Sequence, residues 1–270
     1  MAFDLSTLKK EKQFNAPRIL LLGAEKIGKS SWACSANNPI VLPMKGEEGV
    51  DDLISPNVHS TDTCESLNDV LGWLYALYTN DTDRQTIILD SASALQPLLW
   101  DTTIKRWNSA KEDKQKTAVS IETVGGGYSK GYSEALVEWR LVTEALDALR
   151  KDKNMTSIII GHVTVKEESD PIVGVYNAFN FALDKKAASL LYQWADLILF
   201  ANYKGAVKKE DKGFNAEAKR GIDQAPNQRF LYTQKRLAHP GGCRGIYGSL
   251  PYEIPLSWDA FIQAVNAVSN

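Results

Sequence analysis

Cysteine is scarce in this chain: Cys34, Cys64 and Cys243 lie far apart, and none belongs to a CxxC pair. That excludes a disulfide framework and a zinc site of the usual spacing, and it makes a reducing cytoplasm the expected setting. An excess of either charge is also missing, since 31 basic residues stand against 33 acidic ones for a net charge of -2. No whole-molecule field draws the protein to nucleic acid or anionic lipid, so any such binding must be local. Long hydrophobic runs are absent as well. No segment reaches the roughly 18 apolar residues of a membrane span, and the opening MAFDLSTLKKEKQFNAP has no signal-like apolar core. No membrane association is expected.

What remains is ample material for a core. With 270 residues, 44% of them hydrophobic, the chain is expected to form one α/β domain over residues 18–270 behind a polar arm, residues 1–17. RILLLG, PIVLPM, TIILD, TSIIIGHV, ADLILFANY and RFLYTQ are short apolar runs that read as strands. Helical spacing links Leu67, Val70, Leu71, Leu74 and Leu77, with Asp62 and Glu65 ahead of them at capping-box spacing. The same spacing gives a core-facing stripe at Leu136, Trp139, Val142, Leu146 and Leu149, and KKAASLLYQW and the tail around Trp258 and Phe261 read as further helices. Alternating strands and helices, with strands apolar throughout, predict a mostly parallel central sheet flanked by helices on both faces. Two long irregular segments stand out, one from Asp101 to Lys130 running into VGGGYSKGYS, the other from about Val163 to Ala182. A third polar stretch, 204–227, reads as a solvated hairpin.

The most specific signal is Gly23-Ala24-Glu25-Lys26-Ile27-Gly28-Lys29-Ser30, which fits GxxxxGK[ST] between a predicted strand and a predicted helix. Glycines let such a loop curl so that its N–H groups face phosphate oxygens. Lys29 neutralises the β- and γ-phosphates, Ser30 ligates Mg²⁺, and Ser31 is expected among the nucleotide-binding residues with 23–30. The chemistry calls for a second carboxylate at the end of a neighbouring strand, and TIILD supplies Asp90. Glu47 and Glu48 follow the second strand, where a parallel sheet brings them to the same edge as candidates for orienting a hydrolytic water.

In this order GAEKIGKSS, GEEG, ILDSASAL, IIIGHV and TQKRLAHPGG resemble the RecA-like P-loop ATPases, and within them the compact phage-encoded single-strand annealing and recombination proteins. The resemblance spans residues 18 to about 258. It implies ATP and Mg²⁺ as ligands, Glu47 as the water activator, and His162 as a γ-phosphate sensor where many relatives carry glutamine. It implies Arg236 as a cation offered to a neighbouring subunit's nucleotide, with Gln234 standing where a lysine is usual and Lys235 or Arg244 as substitutes. A ring or filament of identical subunits follows, in the cytoplasm, or in the host cytoplasm for a phage protein. The family's DNA loops map onto the two irregular segments, with Tyr128, Lys130 and Tyr132 in the first and Lys166, Tyr176 and Phe179 in the second as groups that would grip and stack single-stranded DNA.

The expected activity is therefore an ATP-binding and ATP-hydrolysing protein of DNA recombination or single-strand annealing, stimulated by single-stranded DNA, with a single-strand-binding protein as a further partner. The alternative is a nucleotide-gated replication accessory resembling a helicase loader. A small-molecule phosphotransferase fits less well, since arginine for a phosphate lid is limited after residue 150 to Arg220, Arg229, Arg236 and Arg244.

Overall fold

In the computed structural model the described residues are 15–47, 49–110, 117–204, 207–208, 222–223 and 228–269. Glu48, most of the N-terminal arm and most of the polar stretch 204–227 lie outside them. In chain order the elements are β1 (Arg18–Gly23), α1 (Lys29–Cys34), β2 (Pro39–Pro43), β3 (His59–Ser60), α2 (Leu67–Thr79), β4 (Thr86–Asp90), α3 (Ala92–Ala110), α4 (Lys130–Glu134) and α5 (Leu136–Lys153). They continue with β5 (Thr156–Asp170), β6 (Gly174–Phe181), α6 (Lys185–Trp194), β7 (Leu197–Tyr203), β8 (Val207–Lys208), β9 (Ile222–Asp223), β10 (Arg229–Tyr232), β11 (Gly242–Cys243), β12 (Glu253–Pro255) and α7 (Trp258–Ser269).

The main sheet runs β12-β10-β7-β1-β5-β4-β2-β3. Its pairs are parallel from β7 through β3 and antiparallel where β10 and β12 extend the other edge. Because side chains alternate along a strand, β1 serves both faces at once. Leu20 and Leu22 enter the core under α2, α3, α5 and α6, whereas Ile19 and Leu21 enter the core under α1 and α7. The expected mostly parallel sheet with helices on both faces is what forms.

The stripe on α5 is as expected, with Trp139, Val142, Leu146 and Leu149 all fully or almost fully buried. The cap of α2 is not. Ser66, rather than Asp62, is the N-cap, its side chain accepting from the Asp69 N–H, while the Asp69 carboxylate accepts from the Ser66 hydroxyl and the Glu65 N–H. The competing pair lies closer to the first helical residue, where the unpaired N–H groups are.

Two segments expected to be irregular contain regular structure among the described residues. Helix α3 continues to Ala110, well past Asp101, because its second half has its own small core: Trp100, Ile104 and Trp107 pack with Tyr132 against Ala118, Ile121, Val124 and Ala135. The stripe is thereby divided between two cores, and a single periodic pattern does not show. The second segment is a hairpin. Strand β5 runs beyond the sheet and pairs with β6 from Val163↔Phe181 to Asp170↔Gly174, and the Asp170 side chain closes the tip by accepting the N–H groups of Ile172 and Val173. Most of the hairpin is solvated, which removes the apolar alternation by which a strand is recognised.

Candidate functional site

Parallel pairing puts the carboxyl ends of β1, β5, β4 and β2 along one edge. The registers are Gly23↔His162, Leu89↔Ile159 and Pro43↔Asp90, so β5 places His162 between the phosphate loop and Asp90. At such an edge, with helices departing, α/β sheets hold their ligands.

The loop itself curls around its lysine. Lys29 is 6% exposed, and its Nζ donates to the carbonyls of Gly23 at 3.0 Å and Ala24 at 2.7 Å. Gly28 takes φ +101°, a left-handed value that suits glycine, and Lys26 also has positive φ. Gly23 is glycine for a different reason. A Cβ there would stand 2.5 Å from the Ala201 carbonyl oxygen of β7, so the strand beside it leaves no room. Ile27 is fully buried and anchors the loop, whereas Glu25, Lys26 and Ser31 face solvent.

Ser30 Oγ donates to Asp90 Oδ2 at 2.6 Å, joining the loop to the end of β4. On the far side of Asp90 the chain after β2 turns back: the Met44 N–H donates to the Asp90 carbonyl, and the Glu47 N–H to the Met44 carbonyl. This turn aims Glu47 at the edge, where Oε1 accepts from Ser91 Oγ at 2.8 Å and lies 2.9 Å from His162 Nε2. The other ring nitrogen, His162 Nδ1, is buried and has no hydrogen-bond partner among the described residues. Lys29, Ser30, Asp90, Glu47 and His162, spread over more than 130 residues of sequence, thus form one cluster.

Their electrostatics are divided. Burial lowers the pKa of Lys29, opposed by the charges of Asp90, Glu47 and Glu25. Burial raises that of Asp90, against the Ser30 hydrogen bond, with repulsion from Glu47 adding to it. Glu47 is lowered, first by its hydrogen bond to His162 and then by that to Ser91, against its own partial burial. Asp90 is thus the strained charge and Glu47 the satisfied one.

This makes a testable case of Asp90→Asn. A raised carboxyl pKa means the native state holds the proton more tightly than the unfolded chain does. The stability this group supplies is therefore present below the ordinary Asp value of about 3.9 and is lost as pH rises through the raised one. Asparagine removes the buried charge and keeps an acceptor for Ser30. In the ligand-free protein at neutral pH we expect a gain of about 1 kcal/mol, roughly 2–4 °C in melting temperature. A lower melting temperature would show that attraction to Lys29, not burial, governs Asp90.

Ser30 and Asp90 are hard oxygen donors of the kind Mg²⁺ takes, and they already touch. Among the described residues no group of three or more His, Cys, Asp or Glu side chains could hold a metal alone, so an ion here would rely on phosphate oxygens and water.

The remaining candidates lie elsewhere. Arg236 is exposed in the turn between β10 and β11, its guanidinium over the Tyr252 ring at 4.4 Å. Tyr128 is 96% exposed, and Lys130 opens α4. Tyr132, expected to offer a stacking face, packs edge-on against Trp100 at 5.6 Å. Phe179 likewise packs against Phe200 at 5.2 Å, while Lys166 and Tyr176 stand on the hairpin, Tyr176 paired with Glu168. Two residues at the site escaped the sequence reading. Ser91 holds Glu47, and Arg229, on β10, donates from Nη1 to the Ile27 carbonyl at 3.1 Å. Ser91 had a signal in its place directly after Asp90, but Arg229 is 202 residues from its partner and had none.

The strand-loop-helix around Lys29, with Asp90 two strands away, defines a P-loop nucleotide-binding α/β protein. A family model described as an AAA domain matches residues 15–244, and the chain belongs to that family of ATPases. Membership implies a bound nucleotide, usually with Mg²⁺. Among solved structures, the crystal structure of the RadB recombinase is similar at 12% identity and a TM-score of 0.44, over 84% of this chain and 86% of that one. No curated protein matches. Among the described residues no helix is long and apolar enough to cross a membrane.

Proposed function

We propose that this protein is a RecA-like, Mg²⁺-dependent ATPase that acts on single-stranded DNA in recombination or annealing, as a single catalytic unit over residues 18–270 that assembles with copies of itself. The observation that carries the reading is the gathering of Lys29, Ser30, Asp90, Glu47 and His162 at one sheet edge, where Ser30 bonds Asp90 and Glu47 meets both Ser91 and His162. In it Lys29 binds the β- and γ-phosphates, and Ser30 and Asp90 hold the metal, whose chemistry is to neutralise developing charge on the phosphoryl oxygens. Glu47 accepts the proton of the attacking water, and His162 holds Glu47 until a γ-phosphate competes for the ring. Arg236 serves a neighbouring subunit's nucleotide.

His162 is followed without a break by the hairpin, so a shift at the site has a short covalent path to that projecting element. Tyr128 and Lys130, beside glycines 125–127 with positive φ, supply the exposed aromatic face and cation that single-strand binding uses. The test is ATPase rate with and without an oligonucleotide at two salt concentrations. Stimulation that weakens steeply as salt rises supports the reading, because phosphate contacts release counterions. A rate indifferent to DNA sinks the nucleic-acid part while leaving the ATPase part intact.

One observation favours a second reading, a nucleotide-gated accessory that docks on another protein. The hairpin exposes Ile172 at 92%, with Val165, Val173 and Val175 also above half, beside Glu167, Glu168 and Asp170. An apolar tip flanked by acids suits a protein better than a phosphodiester chain. Substituting Ile172 and Val173 by serine separates the two: DNA stimulation is unchanged if the hairpin serves a protein partner.

A further inference from the structure

The groups assigned so far all serve the γ end of a nucleotide. Lys29 reaches toward Gly23, and Asp90, Glu47 and His162 gather beyond it. In a phosphate loop the lysine takes the β- and γ-phosphates and the main-chain amides cradle the α and β. The nucleoside must then leave on the opposite flank, past Gly28 and Ser31.

That flank opens onto a cleft of about 290 Å³, lined among others by Gly28, Ser31, Arg229, Leu256, Trp258 and Asp259. Its walls come from rigid elements. Arg229 sits on β10, whose pairing with β7 fixes it at Arg229↔Tyr203, and the Leu256 N–H donates to the Arg229 carbonyl at 2.9 Å. Trp258 begins α7 and packs on Trp32 of α1 at 4.8 Å. The guanidinium is tied to the loop by its hydrogen bond to the Ile27 carbonyl. Its Nη1 stands 2.8 Å, and Leu256 Cδ2 3.8 Å, from where a Cβ on Gly28 would be. A positively charged flat group and an apolar side chain therefore meet over the last glycine of the phosphate loop, at the point where an α-phosphate gives way to sugar and base.

We infer that this cleft is the nucleoside subsite and that Arg229 sets its preference for a purine. This rests on the P-loop reading above. Guanidinium faces stack on flat π-systems, and the larger purine gives the larger face. Leu256 and the Trp258 ring supply apolar wall, while Ser31 and the exposed Asp259 carboxylate supply polar groups for the donors of sugar and base. Sequence alone could not bring these residues together, since Gly28 in the phosphate loop and Arg229 on β10 lie near opposite ends of the chain.

The experiment compares MgATP, MgCTP and inorganic tripolyphosphate, measured by calorimetry and competition, on the wild type, Arg229→Ala and Lys29→Ala proteins. A photolabelling arm uses 8-azido-ATP on the wild type. Arg229→Ala is expected to weaken MgATP on the order of tenfold and to erase the preference for ATP over CTP, with tripolyphosphate competing as well as before. The label is expected on residues 31–35 or 256–259. Unchanged ATP affinity in Arg229→Ala, equal weakening of ATP and tripolyphosphate, or label confined to other segments would overturn the subsite. A Lys29→Ala protein that binds ATP and tripolyphosphate like the wild type would instead bring down the P-loop reading beneath it.

Discussion

Lys29→Ala protein is expected to fold and to lose MgATP binding by between thirtyfold and several thousandfold. Lys29 Nζ is the cation enclosed by the loop, bonded to the Gly23 and Ala24 carbonyls, with Asp90 and Glu47 near enough to oppose its burial electrostatically. Removing one partner of a desolvated charge pair costs about 2–5 kcal/mol of binding, most of it because the other charge stays behind unpaired. A triphosphate in this loop would be that other charge. The fold has less at stake, since the β1 core is made by Ile19, Leu20, Leu21 and Leu22, all fully buried and independent of the lysine. Calorimetry with MgATP, beside a melting curve, separates the two effects. A folded variant with wild-type affinity would remove the nucleotide from this loop altogether.

The second large effect belongs to Glu47→Gln, for which we expect turnover to drop by about 10²- to 10⁴-fold while MgATP affinity stays within a few-fold. Glutamine keeps the shape and an acceptor for Ser91 but cannot take a proton from water. Single-turnover hydrolysis measured against equilibrium binding shows the split. Turnover at the wild-type rate would pass the role of base to another group. The stability sign is opposite to that for Asp90→Asn. His162 and Ser91 hold the Glu47 carboxyl below its usual value, so its contribution to stability is present above the ordinary Glu value of about 4.3. It disappears as pH falls through the lowered one. At neutral pH Glu47→Gln should therefore lower the melting temperature modestly, where Asp90→Asn raises it.

How much of this was legible differs by the range of the physics. Helix α6 could be bounded from KKAASLLYQW alone, and Asp184 caps it by accepting from the N–H groups of Lys186 and Ala187, a contact within three residues. The phosphate loop was equally local. The cap of α2 was misplaced because Asp62 and Ser66 both have suitable spacing, and only the built helix decides which set of N–H groups needs a partner. Helix α3 was cut short because Trp100, Ile104 and Trp107 answer to a small core made by residues 118–135, whose position no window of α3 reveals. The aromatics Tyr132 and Phe179 looked available for nucleobases as letters in irregular stretches. In space each has a ring neighbour, Trp100 and Phe200.

What the chain by itself determined was the inventory. It has strands apolar enough to be covered on both faces, a loop whose glycine can adopt φ +101°, a lysine and serine inside that loop, and a carboxylate at the end of TIILD. These depend on residues within a few positions of one another, where backbone sterics and hydrogen bonding act. Tertiary structure alone decided that β5 lies between β1 and β4, and so that His162 meets Glu47 across 115 positions and Arg229 meets Ile27 across 202. Strand order follows from how whole sheets and helices bury their faces together, a cooperative property of the entire core that no short window of residues carries.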